Sequence, residues 1–524
     1  MCKFLCSLAF FFSLTLLSHP ESSIEKYPAE IAHSPSPLPD RVVLTWNDDP
    51  ATTQAVSWRT DVSVKAGLAQ LAIANANGRA LKPDEFKAET SYFKSDINEA
   101  HYHSLTFKNL QPDTLYAYRV GDGVNWTEYY HFKTASSEEE PFSFIYFGDA
   151  QNEVRTHWSR VFREAFRDAP RAAFALYAGD MVNRKFSDSE WGEWHQGPDW
   201  VNGTIPVIAT PGNHEYFNYD KRSNAEFYWT DQRGDDVEIV VTSIVEEAND
   251  QGKIYKISLL ASDSDKISIE VNDSGVITQA DDHIEVVTGF SKKQLLARNL
   301  YGPPLFNRQR NPEQASLSNH WSAQFAFPVQ NVPDPALAET VYYIDFQGVR
   351  FISLDSNNAK ESQVEWLTKV LESNTNLWTI VTFHHPLFSP ASDRDNPEIR
   401  KLWKPLLDEF KVDLILSGHD HAYARTGKIA SKKIMNIPEG YNKAYDPNIG
   451  TVNVVSVSGP KMYKITKDTF AKRMVEDTQL YQIIDVSDSR LRFRAFKATG
   501  ELYDEFSLKK REGKPNLLVE GSSE

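Results

Sequence analysis

Between residues 40 and 136 the chain alternates short apolar and polar runs, among them "RVVLTW", "QAVSWRT", "AQLAIA" and "HSLTF", broken by Asp, Asn and Gly. Alternation at period two sends successive side chains to opposite faces, so each run reads as a half-buried strand, and the series predicts a β-sandwich. From residue 141 the rhythm changes. Continuous apolar runs ("FSFIYFGD", "AAFALYAGD", "IPVIATPGNHE", "LWTIVTFHHP", "VDLILSGHDH") alternate with helical-period segments such as "THWSRVFREAF", where Trp158, Val161, Phe162, Ala165 and Phe166 share one face. Strands buried on both faces between amphipathic helices predict a layered α/β domain. "TVYYIDF" and "VRFISLDSN" around Gln347 and Gly348 read as a hairpin.

Breaks in these rhythms divide the chain. A Pro/Ser segment, "HSPSPLPD", precedes the sandwich, and the acidic link "ASSEEE" follows it. The expected units are a sandwich at 38–136 and an α/β domain at 141–510. Within the latter, 231–319 lacks the strand–helix rhythm and is expected as a β-rich insertion. Strands after Thr451 close the sheet, and 511–524 reads as a polar tail. At the start, Lys3 precedes an apolar stretch from Phe4 to Leu17. That is shorter than the about 20 residues a spanning helix needs, so 1–20 is expected to be a signal peptide and the protein secreted or periplasmic.

Composition narrows the chemistry. Both cysteines, Cys2 and Cys6, lie in the expected signal peptide, so a mature chain has no thiol and must hold any metal through nitrogen and oxygen. The net charge of −16 argues against a nucleic-acid-binding surface, because such binding usually needs a basic face to displace phosphate counterions. A small phosphorylated substrate is still compatible, since bound cations supply positive charge locally. No later run is long enough to span a membrane.

Five of the α/β strands end in groups that bind cations: Asp149 in "FGDAQ", Asp180 in "AGDMVN", Asn213 and His214 in "GNHE", His384 in "VTFHHP", and His419 and His421 in "GHDH". In open α/β sheets the ligand crevice lies at the carboxyl ends of the strands, so residues hundreds of positions apart are expected to converge. One carboxylate that bridges, further carboxylate, amide and imidazole donors, and positions left for substrate are what a pair of adjacent ions requires. Singly, Asp149 or Asp180 would read as a helix cap.

In this order the motifs resemble those of calcineurin-like metallophosphoesterases. The preceding β-domain, with "LQPDTLYAYRV" resembling the tyrosine corner of fibronectin type III domains and Trp58 as its core tryptophan, makes the chain similar to purple acid phosphatases. The resemblance implies two metal ions, with Asp180 bridging, Asp149 and His421 on the first, and Asn213, His384 and His419 on the second. It implies a hydroxide between the metals as nucleophile and His214 as the group that orients phosphate and protonates the leaving oxygen, with Glu215 or Asp420 setting its tautomer. The expected substrates are phosphomonoesters, with phosphodiesters and nucleotide pyrophosphates as alternatives of the same fold. A non-catalytic extracellular binding protein is the competing class.

Two positions depart from the family pattern. Asn183 stands where purple acid phosphatases carry the tyrosine whose phenolate binds ferric iron, which leaves the metals open among Fe, Mn and Zn. Gln151 falls where relatives outside the purple branch have a histidine ligand, so metal binding and a hydrogen-bonding role both stand for Gln151 and Asn183. His385, Tyr423 and Arg425 are candidate pocket residues. Trp191, Trp194, His195 and Trp200 are read either as an aromatic wall or as core.

Overall fold

The structure, a computed structural model, describes residues 27–217, 226–230, 236–249, 252–260, 266–272, 277–280, 316–391, 394–429, 451–465 and 471–521. The expected signal peptide lies outside the described residues.

The N-terminal unit is all β. Strands Asp84–Lys87, Leu68–Ile73, Leu115–Gly121 and Tyr130–Lys133 form one sheet, and Asp40–Thr45, Gln54–Thr60, Glu99–Phe107 and Glu89–Lys94 form the other. Between them Trp58 is fully buried beside Val56, Phe107, Tyr118 and Phe132. The backbone N–H of Gln111 donates to the Tyr116 hydroxyl at 2.8 Å, which pins the turn leading into the strand that carries that tyrosine.

This unit is not a bead on a linker. Thr45 pairs in parallel with Val207, so the N-terminal sheet runs on into the sheet of the second unit. Val43 and Trp46 belong to the same apolar core as the α/β strands, and the Trp46 ring lies 5.2 Å from Phe346.

The second unit is a four-layer α/β/β/α sandwich. In one sheet Phe142–Phe147, Ala175–Tyr177 and Val207–Ala209 run parallel, extended by the antiparallel strands Leu480–Val486, Arg490–Lys497, Leu502–Arg511 and Lys514–Glu520. The other is ordered Tyr342–Phe346, Val349–Ser353, Trp378–Thr382, Leu414–Ser417, Thr451–Val455, Tyr423–Ile429 and Arg473–Val475. Neighbouring side chains along its strands go to different cores. Phe351, Ile380 and Leu414 meet the first sheet, whereas Ile352, Val381 and Ile415 pack under helices Gln363–Glu372 and Pro397–Glu409. Helices Ser159–Asp168 and Asp188–Gln196 cover the far face of the first sheet. Aromatic rings seal the two sheets together, with Phe174 centred 4.9 Å from Phe144 and 5.0 Å from Phe351.

The insertion is β-rich where described: five antiparallel strands between Glu226 and Ala280 form their own sheet, beginning slightly before the expected boundary. Residues 281–315 lie outside the described residues. The expected polar tail is corrected, since Lys514–Glu520 is the edge strand of the first sheet. Leu518 is buried there, and Glu520 answers the charge of buried Arg425 at 2.7 Å.

Candidate metal centre

The parallel strands of both sheets deliver their C-terminal loops to one place, and close backbone approach there needs glycine. Gly179 sits at φ +86, and a Cβ on it would lie 2.5 Å from Gly212 N and 2.7 Å from His384 Nδ1. A Cβ on Gly418 would strike the Asp149 carboxylate. Glu215, fully buried, ties two of these loops: its carboxylate accepts from the N–H groups of Gly212 at 2.7 Å and of Asp180 and Met181 at 2.9 Å. Burial and the Asp180 charge push the Glu215 carboxyl up to about 8, against the pull of these N–H donors.

Six side chains converge. His384 donates from Nδ1 to the Ala178 carbonyl at 2.9 Å, which turns Nε2 inward to within 3.2 Å of Asp180 Oδ2 and 3.0 Å of Asn213 Oδ1. His419 Nδ1 lies 2.8 Å from Asn213 Oδ1 and 3.1 Å from His384 Nε2. On the other side His421 donates from Nδ1 to the Lys461 carbonyl at 2.9 Å, so its Nε2 is the bare nitrogen, 3.2 Å from Asp149 Oδ2. That buried carboxylate oxygen accepts no hydrogen bond. The ligand atoms of Asp149, Asp180 and His421 lie within 4.8 Å of one another, as do those of His384, His385 and His419. Asp180 belongs to the first set and touches His384 of the second, the placement a bridging carboxylate needs.

The donor set fits two cations. Buried acceptors that point at one another without hydrogen between them are unfavourable unless positive charge sits among them. The field agrees: burial opposes charge on His384, yet Asp180 and Asp149 raise it to about 9. His419 accepts at Nε2 from Arg394 at 2.6 Å, so its own hydrogen is on Nδ1, at the point where Asn213 and His384 converge. A metal bound there through Nδ1 would leave the ring's hydrogen on Nε2, with Arg394 turning aside.

His214 is partly exposed. Its N–H donates to Asp180 Oδ1 at 2.8 Å, and its Nδ1 donates to the Asn183 carbonyl at 2.5 Å. The tautomer expectation is thereby corrected. Glu215 is occupied by backbone N–H groups, Asp420 pairs with Arg394 at 2.8 Å, and the Asn183 carbonyl orients the imidazole. Burial raises the Asp420 carboxyl to about 6. His385, held by Ser356 Oγ at 2.9 Å, lines a cavity of about 400 Å³ with Asn213, Asn357 and Lys360. Gln151, whose N–H donates to the Asp180 carbonyl at 3.0 Å, meets Asn183, its Nε2 donating to Asn183 Oδ1 at 3.2 Å.

Tyr423 and Arg425 do not join the pocket. Both are fully buried and bind Asp504 at 2.7 Å, because they lie on a strand whose side chains turn toward the C-terminal strands. Trp191 and Trp194 are core around Phe325, His195 is buried against Gln324, and Trp200 stacks edge-on to Phe166 on the surface, so no aromatic wall forms. Sequence reasoning missed Arg394. Nothing in the loop "SDRDNP" sets it apart, and only folding lays it over Tyr463, at 4.7 Å, beside His419.

Two family profiles match the chain: "Purple acid Phosphatase, N-terminal domain" over residues 39–134 and "Calcineurin-like phosphoesterase" over 142–274 and 307–423. Purple acid phosphatase 1 of Ipomoea batatas is 21% identical over 80% of this chain and 72% of its own length. Acid phosphatase type 7 of Danio rerio is 29% identical over 23% of this chain and 28% of its own. Among solved structures, purple acid phosphatase PPD1 from yellow lupin (Lupinus luteus) superposes with a TM-score of 0.58 at 16% identity, covering 91% of this chain and 75% of that one. PhoD does so with 0.55 at 10% identity, covering 92% of each.

Proposed function

Because the chain belongs to the calcineurin-like phosphoesterases, as a purple acid phosphatase-like member and hence a metal-dependent phosphoester hydrolase, we propose that it is a secreted phosphomonoesterase. The observation that carries the reading is the convergence of Asp149, Asp180, Asn213, His384, His419 and His421 with donor atoms about 3 Å apart and no hydrogen-bond partner for Asp149 Oδ2. Asp149, Asp180 and His421 would hold one ion; Asp180, Asn213, His384 and His419 would hold the other. Bound there, the pair supplies Lewis acidity and lowers the pKa of water.

The chain's own groups do the rest. As the imidazolium, His214, with Nδ1–H committed to the Asn183 carbonyl, presents Nε2–H to the substrate, where it donates to a phosphoryl oxygen and passes that proton to the leaving oxygen. Its anchor on Asp180 Oδ1 keeps that atom in register with the metal ligands. His385 and Lys360 line the cavity beside Asn213 and orient the ester. A cavity of about 400 Å³ suits a small leaving group. Export rests on the Lys3 and Phe4–Leu17 pattern, and no helix among the described residues is long and apolar enough to cross a membrane.

The test is hydrolysis of aryl phosphate mono- and diesters from about pH 4 to 10 by metal-replete protein, with Asp180→Asn and His214→Ala as controls. Faster turnover of monoesters is expected. Preference for diesters would move the substrate class, and full metal loading without turnover of any ester would favour a binding protein.

A further inference from the structure

We propose that the amide oxygen of Gln151 is a ligand of the ion that Asp149, Asp180 and His421 would hold, which makes that half of the centre oxygen-rich. The inference rests on the dinuclear reading above. Gln151 is fully buried, and its Oε1 has no hydrogen-bond partner. A buried amide oxygen left unpaired is unfavourable, and in a cluster of cation donors the natural partner is the cation.

The amide nitrogen is engaged elsewhere. Nε2 donates to Asn183 Oδ1 at 3.2 Å, so the oxygen is the atom left over. The Asn183 backbone is fixed, its N–H donating to Glu190 Oε2 at 2.8 Å and its carbonyl accepting from His214. The backbone brings Gln151 to the rim: the N–H groups of Ala150 and Gln151 both donate to the Asp180 carbonyl, at 3.1 and 3.0 Å, and Gln151 takes φ +27 to do so. The two departures from the family pattern therefore act together, one residue supplying an oxygen and the other holding its amide.

The halves of the centre then differ in kind. Asp180, Asn213, His384 and His419 offer two oxygens and two nitrogens; Asp149, Asp180, Gln151 and His421 offer three oxygens and one nitrogen. Carboxylate and amide oxygens suit Mn²⁺, and without a phenolate the first site lacks the donor that would favour ferric iron.

Equilibrium dialysis of the metal-stripped full chain against Mn²⁺, read by metal analysis and by the spin-coupled resonance of paired Mn²⁺ ions, tests this. The wild type is expected to bind two ions per chain. Gln151→Ala should keep one at wild-type affinity and weaken the other by about 10–100-fold, with loss of the coupled signal. Gln151→Glu, which retains an oxygen at the same reach, should keep both ions and guards against a variant that fails to fold. Gln151→His should keep both and gain in competition for Zn²⁺. Unchanged binding by Gln151→Ala, or loss of an ion from Gln151→Glu, would overturn the inference alone. A wild type that binds no ion pair would overturn the dinuclear reading with it. A purple absorption band after iron loading would also overturn it, by showing that a tyrosine such as Tyr463, whose ring lies 4.6 Å from His421, supplies the ligand instead.

Discussion

Two clusters of buried charge in this molecule are built on opposite rules. Where the β-unit meets helix Asp188–Gln196, every charge has its counterpart: Arg41 grips the buried Asp188 carboxylate at 2.6 and 2.9 Å, while Arg59 pairs with Asp40 at 2.6 Å and reaches Asp188 at 3.2 Å. At the metal centre Asp149, Asp180, Asn213, His384 and His421 crowd donor atoms together and leave Asp149 Oδ2 with none. The first cluster is neutralised by the chain and holds two units in one body. The second is completed only from outside the chain, which is what a binding site is. Burial of charge is common to both, so burial alone does not mark a site; the convergence of several cation donors around an unpartnered carboxylate oxygen does.

If that contrast is right, breaking the two clusters has different consequences. Asp180→Asn is expected to lower turnover by on the order of 10³ and to reduce bound metal, with unchanged circular dichroism. His214→Ala, which removes no metal ligand, should lower kcat by about 10²–10⁴ while metal analysis still finds both ions. Asp188→Ala leaves two guanidinium groups facing a void and should cost about 3–5 kcal/mol in denaturant unfolding, with metal content intact in the folded protein. Were Asp188→Ala to strip metal, or Asp180→Asn to unfold the chain, the distinction would fail.

The smallest effect is a pH dependence of the interface. Arg41 overcomes burial and holds the Asp188 carboxyl well below the usual carboxylate range, so its contribution is present above about pH 4 and is lost as pH falls through the folded value. Asp96, which accepts from the Asp188 N–H at 2.9 Å, behaves oppositely: burial and the Asp188 charge raise it to about 7. Its folded form binds protons more tightly than its unfolded form, so it lowers stability as pH rises from about 4 through 7. Asp96→Asn should therefore be more stable than wild type at about pH 8 and indistinguishable below about pH 4, read by thermal unfolding at each pH. A constant offset at all pH values would assign the difference to packing instead.

Much of the site was legible because its chemistry is local. Five of the six candidate ligands follow a glycine or apolar residue close after a strand, with His421 two residues beyond His419, so "FGDAQ", "AGDMVN", "GNHE", "VTFHH" and "GHDH" carry both the donor and the reason it sits near a strand end. The period-two and continuous apolar runs likewise gave the order of the β-unit and the α/β layers. Tyr423 and Arg425 misled because nearness in sequence to "GHDH" says nothing about which face of the following strand a side chain takes; Asp504, 79 residues beyond Arg425, decided that. The edge strand Lys514–Glu520 escaped notice for a related reason, since a short polar strand is stabilised mainly by its neighbour.

The sequence by itself determined which cation-binding residue types end the strands, their chain order, and the alternation that makes sheets and helices around them. It also determined that a phenolate is missing at Asn183 and that Gln151 is out of pattern. Only the tertiary structure decided that Asp180 touches His384, that the Asn183 carbonyl rather than Glu215 orients His214, that Gln151 Oε1 is left without a partner, and that Arg394 caps His419. The reason is one of range. Periodicity and turn chemistry act over a few residues, whereas hydrogen-bond partners and the direction of a buried side chain are set by whatever else the fold brings within about 3 Å.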